Sequence, residues 1–247
     1  EEALEVIEMA DSMTLAAFGE NSALYAKCLH NHGRTYSDMR KYDKAEPLYL
    51  KALAIRGKVL GKEHPDYASS LNNLAIIYWY KGEYDKAEPL HLEAKAIREK
   101  VLGKEHPDYA SSLINLAVLY TSKGEVDKSE PLLLEAKAIQ EKVLGKEHLD
   151  YAKTLNNLAI VYKDKAEYNK AEPLYLETKA ILEKVLGKEH QNYALTLMNL
   201  GELYQKRGEY DKAESLYLDA IAIKGKVLGK EHPDYAKSLD NLGKFGQ

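Results

Sequence analysis

Eight histidines are the first residues here that could hold a metal or relay a proton. Five of them, His64, His106, His148, His190 and His232, recur every 42 residues. Neighbouring copies of such a block stand about 10 Å apart, the spacing of packed helices. Zinc ligands must instead converge within about 2.1 Å of one ion. The column is therefore expected to cap helices or to sit in solvated loops. His30 and His32 are two positions apart, which turns them to different faces of a helix. No metal site and no cofactor is expected.

Other candidate chemistry also falls into columns. Eighteen of the 19 tyrosines share the columns of Tyr49, Tyr67, Tyr78 and Tyr84, as packing residues would, and only Tyr80 stands apart. GKVLGK at Gly57 and Gly225 is one residue short of a phosphate loop and lacks the following Ser or Thr. No nucleophile has a local base, so no enzymatic activity is expected. Cys28 replaces a Ser or Thr that fills the same column at Ser70, Ser112, Thr154, Thr196 and Ser238. It reads as a small buried or half-buried side chain. A lone cysteine can form no internal disulfide, which fits a reducing cytoplasm.

The element that positions all of these is a block running from Val59 to Lys100 in its clearest copy. VLGKEHPDYA begins at Val59 and returns at Val101 and Val227, with altered forms at Val143 and Val185. A fixed ungapped period of this length means stacked units sharing a continuous core. Each unit reads as two helices. Pro65, at a first helical position, opens one of them, and Leu71, Leu74, Ala75 and Tyr78 line its core face. Gly82 permits a tight connection. Asp85 to Glu88 is expected to act as a capping box for the second helix, and Pro89 to bend that helix without breaking it.

The resulting fold class is all-α: one array over residues 1–247. Residues 1–18 are the second helix of a partial repeat. Full repeats span 22–60, 64–102, 106–144, 148–186 and 190–228, and 232–246 is an unpaired first helix. Because the array starts and stops inside a repeat, further domains of the same polypeptide are expected beyond it.

Leu71, Leu74-Ala75, Tyr78, Gly82, Tyr84, Ala87 and Ala94 match the tetratricopeptide repeat signature. The 42-residue length, with HPDYA…LNNLA and YDKAEPL, resembles the variant found in kinesin light chains and many bacterial repeat proteins. The resemblance implies a right-handed superhelical solenoid of antiparallel helix pairs with a concave groove lined by the first helices.

Charged residues make up 30% of the chain and the net charge is −4, which argues against nucleic acid as a partner. No apolar run approaches the roughly 20 residues that span a bilayer, and the start carries no signal-peptide pattern. The face of each first helix turned away from the core is nonetheless rich in apolar residues. Ile76, Trp79, Tyr80, Ile114, Val118, Ile160, Leu195 and Met198 fall there, as an interaction surface would have them, although packing on the next first helix could account for several. Lys27, Arg34, Lys153 and Lys163 also fall on it, with Asp38, Asp164, Glu202 and Asp240 among them.

One column on that face is unbroken: Asn31, Asn73, Asn115, Asn157, Asn199 and Asn241. Asparagine is a mediocre helix former, and its amide can grip both N–H and C=O of an extended peptide. The same amides could instead bond neighbouring helices, or the column could be inherited by duplication. Asn72 and Asn156 would add polar contacts. The function expected is a protein-interaction scaffold holding a peptide or protein segment in its groove, with Trp79 and Tyr80 as the anchor. The alternatives are a regulatory arm of a larger effector and a structural spacer or self-association module.

Overall fold

The computed structural model describes residues 2–229 and 231–243, leaving the side chains of residues 2, 3, 233, 234, 237, 240 and 241 outside that description. The described residues form twelve α-helices and no strand: α1 (Glu2–Phe18), α2 (Ala23–Asp38), α3 (Tyr42–Val59), α4 (Pro65–Tyr80), α5 (Tyr84–Leu102), α6 (Pro107–Ser122), α7 (Val126–Val143), α8 (Leu149–Asp164), α9 (Tyr168–Leu186), α10 (Gln191–Lys206), α11 (Tyr210–Leu228) and α12 (Pro233–Gly243). They fall into two compact units, Glu1–Gly124 and Glu125–Gln247.

In the first unit, α2 pairs with α3 and α4 with α5 through short turns, so each pair is antiparallel. α3 then packs on α4 and α5 on α6, while the first helices α2, α4 and α6 touch in sequence. In the second unit α8 pairs with α9 and α10 with α11, α7 packs on α8, and α8 touches α10.

Local chemistry sets each boundary. The backbone N–H of Asp66 donates to Nδ1 of the N-cap His64 at 3.1 Å, with Pro65 behind it at the first position. His106, His148 and His190 cap α6, α8 and α10 in the same way. The recurring histidine is thus a helix cap in four repeats. Gly82, at φ +76°, turns the chain out of α4. The same turn position holds Arg40 (φ +58°) and Ala166 (φ +59°), where a Cβ is strained.

The second helices begin one residue before the expected capping box. α5 starts at Tyr84, its N-cap Glu83 makes no side-chain cap bond, and Asp85 lies inside the first turn. Glu88 is therefore not a capping residue. Its carboxylate accepts from the Tyr120 hydroxyl at 3.1 Å and from Lys123 Nζ at 2.7 Å, both on the next first helix or its end. Glu46 does the same with Tyr78 and Lys81, and Glu172 with Tyr204 and Arg207. The helix continues through Pro89, because so early a proline deprives it of one hydrogen bond.

The core follows the small-and-large pattern of the repeat. Ala26, Ala68, Ala110, Ala152 and Ala194 are fully buried and let helices approach, with Leu71, Leu113 and Leu155 filling the space between. At Gly201 an added Cβ would lie 2.8 Å from the Tyr217 ring, so this glycine makes room for an aromatic.

Candidate functional site

The first-helix face is partly covered by its own neighbours. Asn72 and Ile114 are buried (8% and 5% exposed), as is Met198, so these three do not lie open to a ligand as the helical wheel suggests. The wheel treats each helix alone, whereas adjacent first helices touch. Ile76, Val118, Trp79, Asn73, Asn115, Asn156, Asn157, Asn199 and Ile160 are half-buried, and Asn31 is exposed. The side chain of Asn241 lies outside the described residues.

The asparagine column is used, at least in part, inside the scaffold. Asn115 Nδ2 donates to Asn72 Oδ1 at 2.8 Å, and Asn199 Nδ2 to Asn156 Oδ1 at 3.0 Å. His91 Nδ1 lies 3.1 Å from the same Asn72 oxygen and donates to it, filling both lone pairs. The Asn73 amide sits 3.0 Å from His30 Nε2. It is the Asn73 nitrogen, Nδ2, that makes this approach, while Arg56 Nη1 lies 3.3 Å from His30 Nδ1 on the other side of the ring. Asn157 differs: its Nδ2 is buried with no hydrogen-bond partner.

Two histidines in these networks are held neutral by their burial. Burial, reinforced by Arg56 and Arg34, lowers the His30 pKa to about 4. Burial with Arg98 nearby lowers His91 to about 4 as well. His32 points elsewhere, its Nδ1 2.6 Å from Asp11 Oδ2. Among the described residues no group of three His, Cys, Asp or Glu side chains could hold a metal ion, and no helix is long and apolar enough to cross a membrane.

At the C-terminal end of α4 the aromatics gather. Tyr80 is 52% exposed and stacks on Tyr42 with ring centroids 4.8 Å apart and an interplanar angle of 10°. Trp79 meets Tyr80 edge-on at 4.7 Å and donates its indole N–H to Ser122 Oγ of α6 at 2.8 Å. Tyr80 thus leans on α3 while Trp79 leans toward α6. In the second unit Lys163, expected on the open face, is buried and paired with Glu202 at 2.7 Å.

The tetratricopeptide repeat pattern matches residues 1–58, 25–100, 66–128, 113–184, 161–226 and 192–244. The chain belongs to the tetratricopeptide repeat family. Its solved neighbours include the nearly identical TPR-like repeats of a protein described as a kinesin light chain from Podosopora anserina. They share 30% identity and a TM-score of 0.66 over 81% of this chain and 95% of that one. BtubC (BKLC) from P. vanneervenii is 23% identical, with a TM-score of 0.72 over 92% of this chain and 89% of that chain. A Rap protein complexed with competence and sporulation factor is 17% identical, with a TM-score of 0.71 over 90% and 65%. The last two show the fold alone. Comparison with curated proteins gives no match. As a kinesin-light-chain-like array of tetratricopeptide repeats, the chain is built as a protein-interaction scaffold.

Two features are not legible in the residue columns. Tyr42 shares a packing column with Tyr84, yet it stacks on Tyr80. The column of Arg56, Arg98, Gln140, Leu182 and Lys224 is hidden by its varied residue types, although the period alone marks it.

Proposed function

We propose that the chain is a non-catalytic scaffold that holds a peptide or protein segment against α2, α4 and α6. The observation that carries this reading is the Tyr42–Tyr80–Trp79 cluster where α3 meets the C-terminal end of α4, with Tyr80 exposed and Tyr42 and Trp79 half-buried. Trp and Tyr are the side chains that most often dominate binding, at roughly 2 kcal/mol or more each. Ile76 and Val118 continue the apolar surface, and Asn115 keeps its amide oxygen for a ligand N–H after giving one N–H to Asn72. Cys28 is free, in keeping with a reducing, cytoplasmic setting.

The test begins with a peptide selected from a displayed library on the immobilised chain. Its affinity is then measured for Trp79→Ala, Tyr80→Ala and a control on α5, Glu99→Ala, each checked for helix content by circular dichroism. The aromatic variants should weaken binding about 30-fold, the equivalent of about 2 kcal/mol. If they bind the peptide as well as the control does, this face is not the site.

A further inference from the structure

In the second helix of each repeat one position sends its side chain under the N-terminal turn of the next first helix. Arg56 Nη1 donates to Ser70 Oγ (2.8 Å) and to the Asp66 carbonyl (2.8 Å). Arg98 repeats this with Ser112 Oγ (2.9 Å) and the Asp108 carbonyl (3.2 Å). Gln140 meets Thr154 Oγ1 at 2.6 Å, and Lys224 reaches Ser238 Oγ at 2.8 Å. Each pair is 14 residues apart.

The remaining member of the column is Leu182, buried and without a polar atom to offer Thr196. The acceptors persist there. Thr196 Oγ1 sits 3.1 Å from the Asn192 carbonyl, as Ser112 Oγ sits 3.3 Å from that of Asp108. Where the longer side chain would lie, the structure has a pocket of about 420 Å³ between α8, α9 and α10. Ala152, Thr178, Leu182 and Thr196 form its buried floor, and the exposed Leu149 and Leu195 flank its mouth. Asn157, whose Nδ2 has no partner, lines it too.

We propose that this pocket takes the side chain of an arginine from a partner's peptide segment, supplied in trans where α3 and α5 supply their own. Leu149, Leu182 and Leu195 clothe the apolar stem. The guanidinium donates to Thr196 Oγ1 and the Asn192 carbonyl, the counterparts of the two acceptors that Arg98 uses two repeats earlier. Asp150 at the rim balances the one opposing cation, Lys153.

The proposal rests on the reading of the chain as a segment-binding scaffold, but a small probe tests the pocket by itself. Nα-acetylarginine amide is titrated into the isotope-labelled full chain, with the citrulline, lysine and glutamate analogues as comparisons. Amide signals of Leu182, Thr196 and Asn157 should shift and saturate in the millimolar range expected of so small a ligand. The citrulline analogue, which lacks the charge, should bind at least about tenfold more weakly. Leu182→Arg should fill the pocket from within, abolish the shifts and raise the unfolding midpoint. Leu182→Gln, which copies the native Gln140, serves if the arginine variant does not fold. Equal citrulline binding, preference for the glutamate analogue, silence up to about 20 mM, or unchanged binding in the filled variants would each overturn the proposal. Arginine-probe binding that persists while a selected peptide ignores Trp79→Ala would separate this pocket from the aromatic anchor.

Discussion

Asn115 Nδ2 donates to Asn72 Oδ1 across 2.8 Å although the two residues stand 43 positions apart. The acceptor is buried and is shared with His91. Replacing Asn72 by Leu keeps the volume but strands the Asn115 amide and the His91 ring N–H. The expected cost is about 1–3 kcal/mol, from leaving buried donors unpaired. A lowered urea midpoint with unchanged helix content at zero urea checks it.

Acid should loosen the first compact unit before ordinary carboxylate titration does. His30 and His91 each have a folded pKa of about 4 against about 6.5 when unfolded. Above pH 6.5 both states are neutral and the histidines contribute no pH dependence. As pH falls from 6.5 toward 4, the unfolded chain takes up protons that the folded one refuses, so stability is lost across that window. At pH 5 the loss is about 1–2 kcal/mol for each histidine. His91→Leu, with the residue that the same column carries at Leu133, should remove its share. Urea titrations at pH 7 and pH 5 read the difference directly.

Ala166 occupies a left-handed turn where three other repeats have glycine. Ala166→Gly should stabilise the second unit by about 1 kcal/mol, because the strain on the Cβ exceeds the added chain entropy of glycine. A raised thermal midpoint is the readout, and a lowered one would show that the turn is not strained.

Gly201 should tolerate nothing larger. Gly201→Ala brings a Cβ to within 2.8 Å of the Tyr217 ring, itself almost fully buried. A loss of about 1–3 kcal/mol is expected from overpacking. The double variant with Tyr217→Leu, the residue found at Leu133 in that column, should recover part of it.

Much of this architecture is legible in the sequence because a repeat displays the same decision several times. Pro65, Gly82 and the alanine columns mark helix starts, turns and close approaches in positions that the structure reproduces. The histidine column is structural, as its period implies. Interactions that bridge repeats are harder to read. Glu88 has the spacing of a capping residue, but its partners, Tyr120 and Lys123, are more than thirty residues away. Asn72, Ile114 and Met198 lie on the outward arc of an isolated helix, yet neighbouring helices enclose them. The Leu182 pocket is illegible for the opposite reason: its signature is one residue failing to do what the rest of its column does.

The bonds that join repeats keep constant offsets: 14 residues from Arg56 to Ser70, 32 and 35 from Glu46 to Tyr78 and Lys81, and 43 from Asn72 to Asn115. Each of these joins a repeat to its successor and none reaches beyond. Copying or excising a 42-residue block in frame therefore preserves the spacing of every such link, whatever the number of blocks. Only the residue types meeting at the seam change. Length in such a molecule is a nearly neutral variable, open to genetic slippage, while each new seam offers a fresh pairing of a donor with an acceptor, or with none.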